Sequence, residues 1–186
     1  MNENNPLQFK LHQFKSPLGI MTTAESEMGI THLSFGTANE LASKLETQFR
    51  KKSLAIVFQT SSIIDSLVNQ VDAYFKGIRK DFQLPLKPMG TVFQQKVWNE
   101  LQKIPFGQTQ TYLQQAKTVG NSKTIRASAS ANGQNPNALI IPCHRIIGSD
   151  GSLTGYAGGL WRKKWLLEHE AQYSGKSFQT QLNLSF

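Results

Sequence analysis

Asn135-Pro136-Asn137-Ala138-Leu139-Ile140-Ile141-Pro142-Cys143-His144-Arg145 contains the only cysteine of a 186-residue chain. The apolar run 138–141 reads as a buried strand that Pro142 closes, which would present Cys143 at the end of a rigid element. A lone cysteine is ordinarily a buried, inert hydrophobe. Pro142, His144 and Arg145 around this one point instead to an electropositive, partly open setting that favours the reactive thiolate. Neighbours on a regular strand face opposite ways, so the Cys143 thiol would reach the His144 ring only through a bridging water or a bent backbone.

Upstream, Ser122-Lys123-Thr124-Ile125-Arg126-Ala127-Ser128-Ala129-Ser130-Ala131 is a short helix candidate. Thr118-Val119-Gly120-Asn121 separates it from another over 111–117. Short helix, glycine-containing turn, short helix outlines a helix-turn-helix, an outline that a plain helical hairpin also satisfies. The second helix favours the former: its Ala and Ser residues let the backbone press into a groove, while Lys123 and Arg126 supply phosphate or stacking contacts. Further upstream, Thr91 can cap a helix that carries Phe93, Val97, Trp98, Leu101 and Ile104 toward a core, and Pro105-Phe106-Gly107 stops it.

Downstream, Ile146-Ile147 continues the apolar run and Gly148-Ser149-Asp150-Gly151 turns. Leu153-Thr154-Gly155-Tyr156-Ala157-Gly158-Gly159 is a glycine-rich loop whose close backbone approach, with the flat face of Tyr156, suits a pocket for a planar ring. A last helix over 160–170 begins with Arg162, Lys163 and Lys164 and ends Leu166-Leu167-Glu168-His169-Glu170, where the final carboxylate can orient a histidine. The Ser- and Gln-rich tail 172–186 is expected to be largely unordered.

The first half alternates strand-like and helical pieces. Residues 7–14 and 19–23 read as a hairpin around Ser16-Pro17-Leu18-Gly19, and 29–35 as a further strand. Two helices follow, over 39–50 and 62–79; the second puts Ile63, Ile64, Leu67, Val68, Val71, Tyr74, Phe75 and Ile78 on an apolar stripe able to cover a small sheet. Pro85-Leu86-Lys87-Pro88-Met89-Gly90 marks the domain boundary, giving an α/β domain over 1–86, a mostly α domain over 87–171 and the tail. Charge is split unevenly: nine Lys and Arg face eight Asp and Glu in residues 1–86, but eleven face four in 87–186. Most of the net +8 therefore sits in the second half, which suggests a polyanion partner, nucleic acid before membrane. No run reaches the ~18 apolar residues of a membrane span and residues 1–6 resemble no leader, so a cytoplasmic protein is expected. One cysteine and four scattered histidines offer no metal-ligand spacing; neither metal nor cofactor is expected.

Over residues 88–171 the chain resembles the O6-alkylguanine-DNA alkyltransferases, the free-standing bacterial methylated-DNA–protein-cysteine methyltransferases. The resemblance rests on Gly90-Thr91-Val92-Phe93-Gln94, Ile104-Pro105-Phe106-Gly107, Thr111-Tyr112, Arg126-Ala127, Asn135-Pro136, Pro142-Cys143-His144-Arg145, Gly155-Tyr156-Ala157-Gly158-Gly159 and Leu166-Leu167-Glu168-His169-Glu170, in that order. It implies a small RNase H-like sheet with helices ahead of a helical domain with a helix-turn-helix. It also implies stoichiometric repair, in which the alkyl group of O6-alkylguanine, with O4-alkylthymine as a further candidate, moves to Cys143. By the same matching, His144 acts through a water, Glu170 orients it, Asn135 holds the active-site turn, and Tyr112 supports the extruded nucleotide. Arg126 fills the gap left by the flipped base, with Lys123, Thr124, Ala127 and Ser128 beside it on the DNA. Arg145, Ile146, Tyr156, Ala157 and Gly158 line the substrate pocket; some relatives have serine where Ala157 stands, so any contact to the guanine oxygen there comes from the backbone N–H. The implied partner is double-stranded DNA, bound by a monomer acting singly or cooperatively, with no membrane. A turning-over Cys-His hydrolase and a DNA-binding relative that accepts no alkyl group are the competing classes.

Overall fold

Leu7–Ser16 (β1) buries Phe9 and Leu11, two residues apart and so on one side of the strand. It pairs antiparallel with Gly19–Ser26 (β2), which pairs in turn with Gly29–Phe35 (β3). The other edge of β1 takes Leu54–Phe58 (β4) in parallel, giving the order β3-β2-β1-β4. β4 was not expected from the sequence, since its five residues lie between two stronger helical patterns. Ala38–Gln48 (α1) and Ser62–Phe75 (α2) pack on β1 and β2. α1 buries Leu41 and Leu45, while α2 buries Ile64, Leu67, Val71 and Tyr74, the helical spacing of one apolar stripe. α2 stops four residues before the expected 79, leaving Ile78 exposed.

The computed structural model describes residues 6–50 and 52–175. The chain divides after Pro88, two residues beyond the expected boundary. The reason is local: Ile30 N–H donates to Pro85 O at 2.8 Å and Lys87 N–H to Ile30 O at 2.7 Å, clipping 85–87 to β3. A Cβ on Gly29, whose φ is +122°, would lie 2.2 Å from Pro85 O, so only glycine allows the clip.

In the second unit Val92–Leu101 (α3) starts at Thr91, which forms a reciprocal capping box with Gln94. Its Val97, Trp98 and Leu101 join Ile104, Val119, Ala131, Ile141, Cys143 and Ile146 in one core, so the thiol belongs to the packed interior. Thr111, boxed with Gln114, caps Tyr112–Val119 (α4). Gly120, Asn121 and a short 3-10 turn lead to Ile125–Gly133 (α5), completing the helix-turn-helix outline. Gln115 and Asn132 lock α4 to α5 through a buried pair of amide hydrogen bonds of 2.9 and 2.8 Å. Gln110–Thr111 (β5) and Ile146–Ile147 (β6) form a two-residue parallel ladder. Leu160–Ser174 (α6) closes the unit. Gln172, Tyr173 and Ser174 are its last turn, not tail, because the helix runs on until Gly175 caps it with φ 71° and an N–H bond to Ala171 O; residues 176–186 lie outside the described residues. No helix among the described residues is long and apolar enough to cross a membrane.

Candidate active site

Leu139, Ile140 and Ile141 are buried as expected and Ala138 half-buried, but the run 138–141 is a turn, not a strand. Leu139 takes φ 68°, a left-handed conformation that reverses the chain and costs about 1 kcal/mol or more for a non-glycine residue. Ile141 N–H closes the turn on Asn137 O at 3.0 Å. Asn135 holds it from inside: its amide donates to Ile141 O at 2.6 Å and to Cys143 Sγ at 3.2 Å, while its Oδ1 accepts from Asn137 N–H at 3.0 Å. One side chain therefore sets both the turn and the sulfur. Pro142 then leads into a 3-10 turn, Cys143–Arg145.

The thiol is more enclosed than its basic neighbours suggested, with 9% of Cys143 exposed. Burial pushes its pKa above the usual thiol value, against the opposing pull of the Asn135 hydrogen bond and the Lys163 charge. Arg145 has its own buried partners. Its guanidinium grips Glu170 with Nε at 2.9 Å and Nη2 at 2.9 Å, and donates from Nη1 to Ile104 O at 2.5 Å. Arg145, expected to line the substrate pocket, is the counter-ion of a buried carboxylate.

Glu170 is 1% exposed and also accepts from Gly107 N–H at 3.0 Å and from His144 Nε2 at 2.8 Å. Burial opposes its charge, but His144 and Arg145 outweigh it and hold the carboxyl well below its usual range. Burial keeps His144 neutral, below the usual imidazole value, despite the opposing pull of Glu170. With Nε2–H donating to the carboxylate, the free lone pair is on Nδ1, which is buried and accepts no hydrogen bond from the protein. The site thus holds an enclosed thiol with a donor on its sulfur and, in the next residue, a neutral imidazole whose free nitrogen has no protein partner.

Tyr112 and Tyr156 pack against the cluster that contains Cys143. Tyr112 OH donates to Thr154 O at 3.0 Å, and burial raises its pKa. Gly155, with φ +53°, takes the left-handed conformation that favours glycine, and a Cβ there would lie 3.3 Å from that hydroxyl. The Tyr156 hydroxyl is buried, while Ala157 is exposed and Gly158 half-buried. Ile146, expected on the pocket wall, is fully buried in the core cluster that contains Cys143. Lys163 was missed. Read as one charge of a basic helix start, it is wholly buried, and its Nζ donates to Thr154 O at 2.6 Å.

On the helix-turn-helix, Lys123, Arg126 and Ala127 are exposed. One neighbour departs from expectation, since Ser128 is fully buried on the inner side of α5. Thr124 is half-buried, and its Oγ1 donates to Asn121 O at 2.7 Å, closing the turn.

The family model described as "6-O-methylguanine DNA methyltransferase, ribonuclease-like domain" matches residues 10–88, and its "DNA binding domain" counterpart matches 92–172. A methylated-DNA–protein-cysteine methyltransferase of Methanosarcina acetivorans is 42% identical over 84% of this chain and 95% of its own. The Mycobacterium tuberculosis O6-methylguanine methyltransferase structure superposes with TM-score 0.74 at 35% identity, over 89% of this chain and 94% of that one. That organism's OGT in complex with DNA gives 0.76 at 34%, over 92% and 98%.

Proposed function

The chain belongs to the methylated-DNA–protein-cysteine methyltransferase family, and from that premise we propose that it repairs double-stranded DNA by moving the alkyl group of O6-alkylguanine onto its own Cys143. The observation that carries this reading is the enclosed Cys143 thiol, hydrogen-bonded by Asn135 and followed in the chain by a histidine that Glu170 orients.

The reacting carbon is out of reach in a stacked duplex, so the nucleotide must be extruded at a cost of a few kcal/mol. Exposed Arg126 on α5 enters the stack in its place, Lys123 contacts phosphate, and Ala127 lets the helix sit close to the groove. The flipped guanine lies beside Tyr112, Tyr156 and the Ala157-Gly158 backbone. His144 Nδ1 takes the thiol proton through a bridging water. The sulfur attacks the alkyl carbon in line, the carbon–O6 bond breaks, and its electron pair leaves with the guanine, to which the Tyr112 hydroxyl donates once it exchanges Thr154 O for the bound base. The product is a thioether that no group in the site can cleave, so each molecule acts once. The reading also makes the protein a cytoplasmic monomer, and the positive charge concentrated in residues 87–186 supports its DNA partner.

Titrating a duplex containing O6-methylguanine with the protein tests this. The lesion should disappear in proportion to the protein added, one per molecule, and continued turnover would favour a Cys-His hydrolase instead.

A further inference from the structure

Trp161 and Arg162 lie in the first turn of α6, directly after the glycine-rich loop, and neither has a part in the chemistry described above. A helix N-terminus carries partial positive charge, so a cation gains nothing from the helix there. Arg162 is turned back onto the loop instead. Its Nη1 donates to Gly158 O at 2.7 Å, and its guanidinium lies over the exposed Trp161 ring, with Cζ 4.4 Å from the centroid.

The loop has little else to hold its shape. Gly155 (φ +53°) and Gly159 (φ +91°) are both left-handed, and between them Tyr156 packs against the cluster that contains Cys143 while Ala157 is exposed. Gly159 N–H closes a four-residue turn on Tyr156 O at 2.9 Å. Gly158 O and Gly159 N–H belong to one peptide plane, so Arg162 on the oxygen and Tyr156 O on the nitrogen fix that plane from both sides. The N–H groups of Ala157 and Gly158, in the middle of the turn, donate to no carbonyl among the described residues. We propose that Arg162, steadied by Trp161, is a positioning residue that holds the 156–159 turn so that these two N–H groups meet the oxygen edge of the flipped purine as its alkyl group leaves. The inference rests on the reading of this loop as the seat of the base. Donors fixed in advance stabilise the electron pair released on O6 better than donors that must reorganise, and a loop with three glycines left to itself would present them in many orientations. The planar guanidinium suits both tasks, since it bonds the carbonyl at its edge and stacks on the indole with its face.

Single-turnover transfer from free O6-methylguanine and from a duplex carrying the same lesion, with iodoacetamide labelling of Cys143 as the control, tests the proposal. Arg162→Met keeps an apolar contact for Trp161 but loses the donor. It should lower the maximal rate on both substrates about tenfold, with the half-saturating concentration of the free base little changed. Labelling by iodoacetamide, which presents no O6, should keep its wild-type rate, and Arg162→Lys, which retains a donor, should recover most of the transfer. Wild-type transfer in the Met variant overturns the proposal. So does a loss confined to the duplex that shrinks as salt rises, which would make Arg162 a phosphate contact, and so does an equal loss of iodoacetamide labelling, which would make it merely structural. A wild-type protein that takes no alkyl group from either substrate counts against the function instead. The hold on the turn is then read from amide exchange, where Gly159 N–H should exchange about tenfold faster in Arg162→Met and an unchanged rate overturns the assignment.

Discussion

Nε2 of His144 lies 2.8 Å from Oε1 of Glu170, and both side chains are sealed from solvent. That bond fixes which ring nitrogen carries the proton and so which is the base. Glu170→Gln keeps the shape but leaves the Arg145 charge buried without an anion. It should destabilise the domain by roughly 3 kcal/mol and slow alkyl transfer by about tenfold or more. Urea unfolding and single-turnover rates check both; wild-type values in the variant would remove Glu170 from the mechanism.

Asn135→Ala deletes the donor to Cys143 Sγ and leaves Ile141 O unsatisfied, at a cost of roughly 1–3 kcal/mol. Asn135→Asp, which adds a negative charge beside the sulfur, should raise the thiol pKa further and react more slowly than the Ala variant at neutral pH. The order of the two rates is the test, and an Asp variant as fast as wild type would contradict the hydrogen bond's role.

Two buried histidines give the fold an acid sensitivity. Burial lowers the His32 pKa to about 4 and also depresses that of His144, so both stay neutral in the fold while the unfolded chain gains protons near pH 6.5. Their contribution is fully present above that pH and is lost below it, by up to about 1.4 kcal/mol per pH unit for each histidine and roughly 3 kcal/mol for His32 by pH 4. Unfolding free energies between about pH 7 and pH 4.5 should therefore fall, with a shallower slope in His32→Leu. Equal slopes in variant and wild type would contradict the shift.

Arg126→Ala separates an intercalating side chain from a phosphate contact. Loss of a phosphate contact weakens binding evenly and reduces the salt dependence by about one counterion. Loss of the group that replaces the flipped base should slow repair in a stable duplex far more than reaction with free O6-methylguanine or with an unstacked lesion. Equal fractional losses on duplex and free base, at one salt concentration, would sink the intercalation reading.

Where local chemistry decides structure, the sequence was legible. The Thr91 cap, the stripe 64-67-71-74 and the two short helices around Gly120 follow from spacing alone. β4 was a signal passed over, a five-residue apolar run whose neighbours looked helical. The turn at 138–141 had no such signal, because an apolar Leu139 in a left-handed conformation is imposed by Asn135 and the core, not by its own preference. Tertiary placement also decided Lys163, which is buried between two accessible cations, and Ser128, which faces inward from a helix of similar small residues.

The most direct test of the central claim is the mass of the Cys143 peptide after the protein is incubated with duplex DNA carrying O6-methylguanine. The account predicts one added methyl group, on Cys143 alone, with an equal amount of lesion lost, and no added methyl in Cys143→Ala despite retained DNA binding. A lesion repaired with Cys143 unmodified, or a methyl group acquired by the Cys143→Ala protein at the wild-type rate, would contradict it.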